Sequence, residues 1–409
     1  MENTDTENAG TIDYRLPSSR MKDAMGGGGI REIVTKAEAL ERLGRKIIHL
    51  EIGRPDYDSP ACAKAGVIEA LERGDVHYTE TAGTSELRRA IADAERDAGM
   101  DVDADREVVV TAGAIEALAT VFLTILEPGD EVIVPTPFFP AYSVQIAMAG
   151  GLLRQVPCRF ETGFRPDAGD IEAAITPRTR MILINTPNNP TGAVMGRGEL
   201  EDVAALARKH DLLVVSDECY EKFSYEGQHV SIASLPEMRE RTIVVNAASK
   251  TFSMTGWRVG WLILPPGIKP YAAKCHQHLT SCVTSFAQAG VASALRGAGG
   301  DVKRMIEGYR ERRDFLVGRL KNIRGFEVRI PEGAFYVFPR VSALMRRLGL
   351  DVPGLAAWLL EKAGVAVVPG DAFCARGDFL RMAYCRPLEE LAEATERIDQ
   401  AIQNSTSSP

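Results

Sequence analysis

Short apolar runs punctuate the middle of the chain: Val108–Val110, Glu131–Val134, Met181–Ile184, Leu212–Val215, Thr242–Val245 and Trp261–Leu264. Between them lie longer stretches with helical periodicity. In Glu199–His210, for example, Leu200, Val203, Leu206 and Ala207 share one face. This alternation predicts an α/β fold with a doubly wound, mostly parallel sheet covered by helices on both faces. Ligands of such sheets bind beyond the carboxyl ends of the strands.

The texture changes at Gly297–Gly300. A charged helical pattern follows over Asp301–Leu320, then short strands are expected around Phe326–Ile330 and Ala334–Phe338. These imply a smaller α+β domain, on which the helix expected over Ile30–Leu43 packs. The division that follows is an N-terminal arm and part of the small domain over residues 1–60, a large domain over 61–296, and the rest of the small domain over 297–409. The run Gly26–Gly29 lacks a following Gly-Lys-Ser/Thr and follows no strand, so it reads as flexible backbone. GAGGD at Gly297 fails as a dinucleotide fingerprint for the same reason.

Composition narrows the classes. The 409 residues are 45% hydrophobic and 25% charged, which fits a soluble globular protein. A net charge of -8 without a basic stripe argues against nucleic acid as a partner. Seven scattered cysteines without CxxC spacing point to reduced thiols, no structural metal and a cytoplasmic location. The opening MENTDTENAG is too polar and acidic for a signal peptide. No apolar run approaches the ~20 residues a membrane span needs.

Candidate chemistry gathers at the strand ends. In VVVTAGAIEAL (Val108–Leu118) a strand gives way through small residues to a helix, where backbone N–H groups suit a phosphate. NTPNNPTG (Asn185–Gly192) ends a strand in a rigid turn with two asparagine amides expected to be exposed. LLVVSDECY (Leu212–Tyr220) delivers Asp217 and Tyr220 to the same edge, and a buried aspartate calls for a cation. NAASKTFSMTGWRVGW (Asn246–Trp261) adds Lys250 at a strand end and Arg258 eight residues later.

Together with IGRPDYDSP, HYTETAGTSELRRAI, PEGAFYVFP and FLRMAYC, these motifs make the chain resemble the fold-type I pyridoxal phosphate enzymes of the class I/II aminotransferase family, in the aspartate-aminotransferase-like Iγ branch. The resemblance runs from about Ser19 to Ile402. It implies pyridoxal 5′-phosphate as cofactor and Lys250 as the lysine that links covalently to it. By the same resemblance Asp217 pairs with the ring nitrogen, Tyr220 and Asn189 with the ring oxygen, and Phe139 stacks on the ring. Gly113, Ala114, Ser249 and Arg258 hold the phosphate, joined by Tyr78 from a second subunit of a homodimer. Arg381, Gly53 and Asn189 receive the substrate carboxylate. No metal is implied.

The resemblance implies transfer of an amino group between an L-amino acid and a 2-oxo acid. The same residue set also serves β- or γ-elimination, replacement, S-adenosylmethionine-dependent ring formation and oxidation. Ile115 stands where some relatives carry a lysine for a distal carboxylate, and Lys274–Phe286 offers His276 and His278 but no arginine. An uncharged or aromatic substrate is therefore expected over a dicarboxylate. Ala247 replaces a phosphate-binding hydroxyl of some relatives.

Overall fold

A computed structural model describes residues 30–375 and 377–405; Gly26–Gly29 lies outside them. Seven strands build one sheet: β1 (Val108–Thr111), β2 (Glu131–Thr136), β3 (Leu152–Pro157), β4 (Thr179–Asn185), β5 (Leu213–Asp217), β6 (Thr242–Ala247) and β7 (Gly260–Ile263). Their order is β1-β7-β6-β5-β4-β2-β3. All neighbours are parallel except β7, which is antiparallel to both β1 and β6. The doubly wound α/β expectation holds.

Burial explains the apolar runs. β1 and β6 are buried at every position. The core on one face joins Val109, Val134, Leu183, Val215 and Val245 to helix Ala114–Ile125. Another core joins Ile133, Ile182 and Val214 to the Leu200, Val203 and Ala207 face of helix Arg197–Lys209. Register fixes the business edge: Asn185 lies opposite Asp217, and Asp217 opposite Val245. Three adjacent strands therefore end together.

A separate core unites the two ends of the described chain. Ile33 and Ala37 of helix Ile30–Arg42 and Ile48 and Leu50 pack with Leu316, Leu355, Leu359 and Ile398. Ile48–His49 pairs parallel with Val365–Ala366, which is how the N-terminal segment joins residues over three hundred positions away. A three-stranded antiparallel sheet completes this part, with Leu380–Ala383 between Val368–Pro369 and Tyr336–Val337.

Two expectations need correction. Phe326–Ile330 forms no strand: only Glu327 bridges, to Arg340, while Val328 packs partly against the core and Arg329 and Ile330 are exposed. The strand expected over Ala334–Phe338 shrinks to Tyr336–Val337. Among the described residues no helix is long and apolar enough to cross a membrane.

Close packing at β7 yields a stability prediction. A Cβ on Gly260 would lie 2.7 Å from the Gly113 carbonyl carbon and 2.8 Å from the Ala114 nitrogen, backbone on both counts. Gly260→Ala is expected to cost about 1–3 kcal/mol through overpacking, read from denaturant melts. A variant as stable as the parent would show that the turn before helix Ala114–Ile125 yields freely.

Candidate active site

A cavity of about 440 Å³ opens at the carboxyl ends of β4, β5 and β6. Gly53, Ala114, Phe139, Asn189, Asp217, Tyr220, Ser249, Lys250, Arg258 and Arg381 all line it. Nearly every residue named from sequence is thus brought to one place.

Lys250 does not sit on a strand. β6 ends at Ala247, and a single helical turn, Ala248–Thr251, carries the lysine into the cavity. Its Nζ donates to the Gly53 carbonyl at 2.7 Å and lies 5.9 Å from the Tyr220 ring and 5.7 Å from that of Phe335. Burial, aided by the Arg381 and Arg258 guanidiniums, pushes its pKa down to about 8. A neutral amine is therefore accessible near physiological pH.

Asp217 is 6% exposed at the end of β5. Burial raises its pKa, while a 2.6 Å hydrogen bond donated by the Tyr142 hydroxyl and the Cys219 amide favour the carboxylate. Tyr142 was not singled out from sequence, although it ends the PTPFFPAY motif; its pairing spans 75 residues. Phe139 packs edge-on against Tyr142.

The turn's two asparagines, Asn188 and Asn189, are not exposed amides: Asn188 is half-buried and Asn189 buried. Asn189 is 5% exposed, its backbone N–H donates to Asn185 Oδ1, and its own Oδ1 accepts from Arg381 Nη1 at 3.1 Å. The buried strand around Asn185 leaves that turn no room to face water.

Arg381 is 2% exposed. Its Nη2 donates to the Glu51 carbonyl, and its guanidinium carbon lies 4.5 Å from the Tyr336 ring centroid and 4.7 Å from that of Phe373. Its Nε is buried without a partner. Tyr336 also shares a 2.8 Å hydroxyl–hydroxyl bond with Tyr220. Tyr336 lies in the quoted PEGAFYVFP, yet nothing local in that stretch indicates that its ring faces an arginine.

Gly113 has φ +83°, and a Cβ there would meet Arg258 Nη2 at 2.3 Å. Arg258 itself adopts a left-handed conformation and donates to the Thr255 and Ala112 carbonyls. Glycine, guanidinium and the start of helix Ala114–Ile125 thus form one concave, donor-rich corner.

Other expectations fall outside the cavity. Tyr78 is 90% exposed and lines no part of it within this chain. His276 is fully buried against Glu116 at 3.0 Å, and His278 is exposed, so neither borders the cavity. The helix Lys269–Leu279 turns His276 to the back of helix Ala114–Ile125 instead.

The sequence profile described as aminotransferase class I and II matches residues 45–398. A probable aspartate/prephenate aminotransferase of Aquifex aeolicus is 42% identical over 375 residues, covering 91% of this chain and 95% of that protein. Aromatic-amino-acid aminotransferase 2 of Thermococcus litoralis is 38% identical, covering 91% and 95%. Among solved structures, aspartate aminotransferase from Thermus thermophilus with maleate superposes with a TM-score of 0.89 at 38% identity, covering 95% of this chain and all of that one.

Removing the hydroxyl that caps Asp217 tests this electrostatics. Tyr142→Phe should raise the Asp217 pKa further and lower the stability of the cofactor-free protein by about 1–3 kcal/mol, followed by denaturant melts. Unchanged stability would show that the 2.6 Å contact contributes nothing.

Proposed function

The chain belongs to the aminotransferase class I and II family, and from that premise we propose that it moves an amino group between an L-amino acid and a 2-oxo acid with pyridoxal 5′-phosphate as cofactor. The observation that carries the reading is Lys250: an amine with a pKa of about 8, aimed into a cavity shared with Asp217, Arg258 and Arg381.

The residues present fit that cofactor. The corner where a Cβ on Gly113 would strike Arg258 suits a phosphate, which Ala114, Ser249 and the helix start would complete. The buried Asp217 carboxylate suits a protonated ring nitrogen, and the Tyr220 hydroxyl and Asn189 suit the ring oxygen. Phe139 offers an apolar ring at the cavity wall. When bound, the cofactor supplies an electron sink for the pair left at the substrate's α-carbon.

The chain's own residues do the rest. Lys250, neutral above about pH 8, accepts the α-proton and returns it to the product side. Arg381, held by the Glu51 carbonyl and Asn189, grips the substrate carboxylate beside Gly53. Val34, Ile52, Ile115 and Leu118 give the remaining wall an apolar character. The three cations of the lining are Lys250, Arg258 and Arg381, each already assigned, so an apolar or aromatic side chain suits the cavity better than a second carboxylate.

Tyr78, exposed as Val76, Ile68 and Leu71 also are, fits a homodimer in which it reaches the partner's phosphate corner. The same reading groups residues 1–60 and 297–409 into a small domain beside a large domain over 61–296.

Two measurements test the reading. Cofactor uptake by the cofactor-free protein, followed by visible absorbance, should rise with pH through an apparent pKa near 8 and be lost in Lys250→Ala. A midpoint near the ordinary lysine value of about 10.4 would remove Lys250 from the role. Because its folded-state pKa is depressed, Lys250 binds fewer protons folded than unfolded between about 8 and 10.5, so its contribution makes stability rise across that window. In a substrate panel read by mass spectrometry, an aromatic donor should exceed aspartate in kcat/KM by about tenfold or more. Release of ammonia, methylthioadenosine or peroxide in place of a 2-oxo acid would overturn transamination.

A further inference from the structure

A second cavity, of about 490 Å³, lies between the C-terminal end of helix Ser85–Asp97 and the segment that follows β5. It is lined by donor groups that the amino-transfer reading leaves unused. Glu218, Glu221 and His229 each present one donor atom there, all within 4.8 Å of one another.

The arrangement is built rather than scattered. Glu218 is buried, and its Oε1 accepts from Ser216 Oγ at 2.7 Å and Ser231 Oγ at 2.8 Å. Those two hydroxyls fix the carboxylate so that Oε2 faces His229 Nε2 at 3.0 Å. The imidazole's Nδ1 is buried without a partner among the described residues, so it is available to carry the ring proton while Nε2 serves as a ligand.

An independent group enters from another element. Glu95, on helix Ser85–Asp97, is 6% exposed and lines the same cavity. Its carboxyl has no hydrogen bond or ion pair among the described residues, and its charged neighbours are the Glu221 and Glu218 carboxylates together with Lys222 and Arg239. A carboxylate buried without a partner beside two others calls for a cation. The cations nearby form no ion pair with Glu95 among the described residues. Arg239 is directed to Glu107 at 2.8 Å, and Arg197 stands at the rim near Glu201. Lys222 lies 3.3 Å from Glu221 and already faces the carboxylates of Glu221, Glu95 and Glu218, so an ion bound there has to displace it.

We propose that Glu218, Glu221 and His229, with Glu95 facing the same cavity, form a binding site for one divalent ion of the zinc class. One imidazole nitrogen with carboxylate oxygens is a donor set that zinc accepts at four-coordination, whereas magnesium and calcium favour all-oxygen sites. Ser216 and Ser231 act as the outer partners that orient a ligating carboxylate. On binding, the flexible Lys222 stem moves its ammonium into water. The ion joins helix Ser85–Asp97 to the segment carrying Asp217 and Tyr220, and stabilises the folded state by mass action.

The test uses cofactor-loaded protein stripped with a chelator and then titrated with zinc chloride by calorimetry. One zinc per chain is expected, with a raised Tm. No binding at about 100 µM zinc would overturn the site. His229→Gln is expected to lose the binding, and Glu95→Gln and Ser231→Ala to weaken it by about tenfold or more. Lys222→Ala, which removes a competing charge without touching a ligand, should tighten it. Cobalt substitution gives a second readout: visible bands of a four-coordinate site, present in the parent and absent in His229→Gln. Zinc bound equally well by His229→Gln, with circular dichroism showing both proteins folded, would assign the metal to some other place.

Discussion

The Asp217 carboxylate, sealed at the end of β5 under the Tyr142 hydroxyl, is the constraint on which the cavity depends. A charge in that position is costly unless hydrogen-bond donors and a cationic partner face it. Tyr142 is itself positioned by the packing of the Phe138–Tyr142 stretch on the sheet, so the carboxylate inherits the rigidity of the core beneath. Because β4 and β6 flank β5 in parallel, the same constraint also fixes where Asn185 and Ala247 end. Lys250 and Asn189 then enter the cavity from neighbouring strand ends, one on a helical turn and the other on a tight loop.

Lys250 shows how two opposing electrostatic demands are met together. Its amine needs to be neutral often enough to react, and burial with nearby guanidiniums arranges that. A single acceptor, the Gly53 carbonyl, holds its direction without stabilising the charge as a carboxylate would. The backbone there is unusually close to Tyr336, whose hydroxyl would lie 1.9 Å from a Cβ on Gly53. Only glycine lets the N-terminal segment approach both groups.

How much of this was legible in the sequence depended on range. β1, β2, β4, β5, β6 and β7 announced themselves as apolar runs because both faces of the sheet are covered. β3 did not: LLRQVP is an edge strand, exposed at several positions, and its pattern looks polar. Lys250, Asp217 and Arg258 stood out because each interrupts an apolar or small-residue stretch with a charge. Tyr142 and Tyr336 did not, since an aromatic residue in an apolar stretch looks the same whether its hydroxyl meets Asp217, Tyr220 or nothing. The strand expected over Phe326–Ile330 failed for the opposite reason: its β-branched residues suit a strand locally, but no neighbouring strand lies alongside. Pairing is a tertiary fact that propensity does not carry.

Arg381 shows why the small sheet and the large one must meet at this point. An arginine buried to 2% exposure is tolerable because two aromatic rings lie within 5 Å of its guanidinium, and the Glu51 carbonyl and Asn189 satisfy two of its nitrogens. Those partners come from separate places: Glu51 from the N-terminal segment, Asn189 from the loop after β4, Tyr336 and Phe373 from the C-terminal part. No one of these elements could hold the guanidinium alone. A carboxylate arriving in the cavity therefore meets a cation whose orientation is already fixed, and little rotamer freedom remains to be lost on binding. The pairing of Ile48–His49 with Val365–Ala366 brings Glu51 close enough to take part, so a strand pair far from the chemistry sets the position of the group that would receive the substrate.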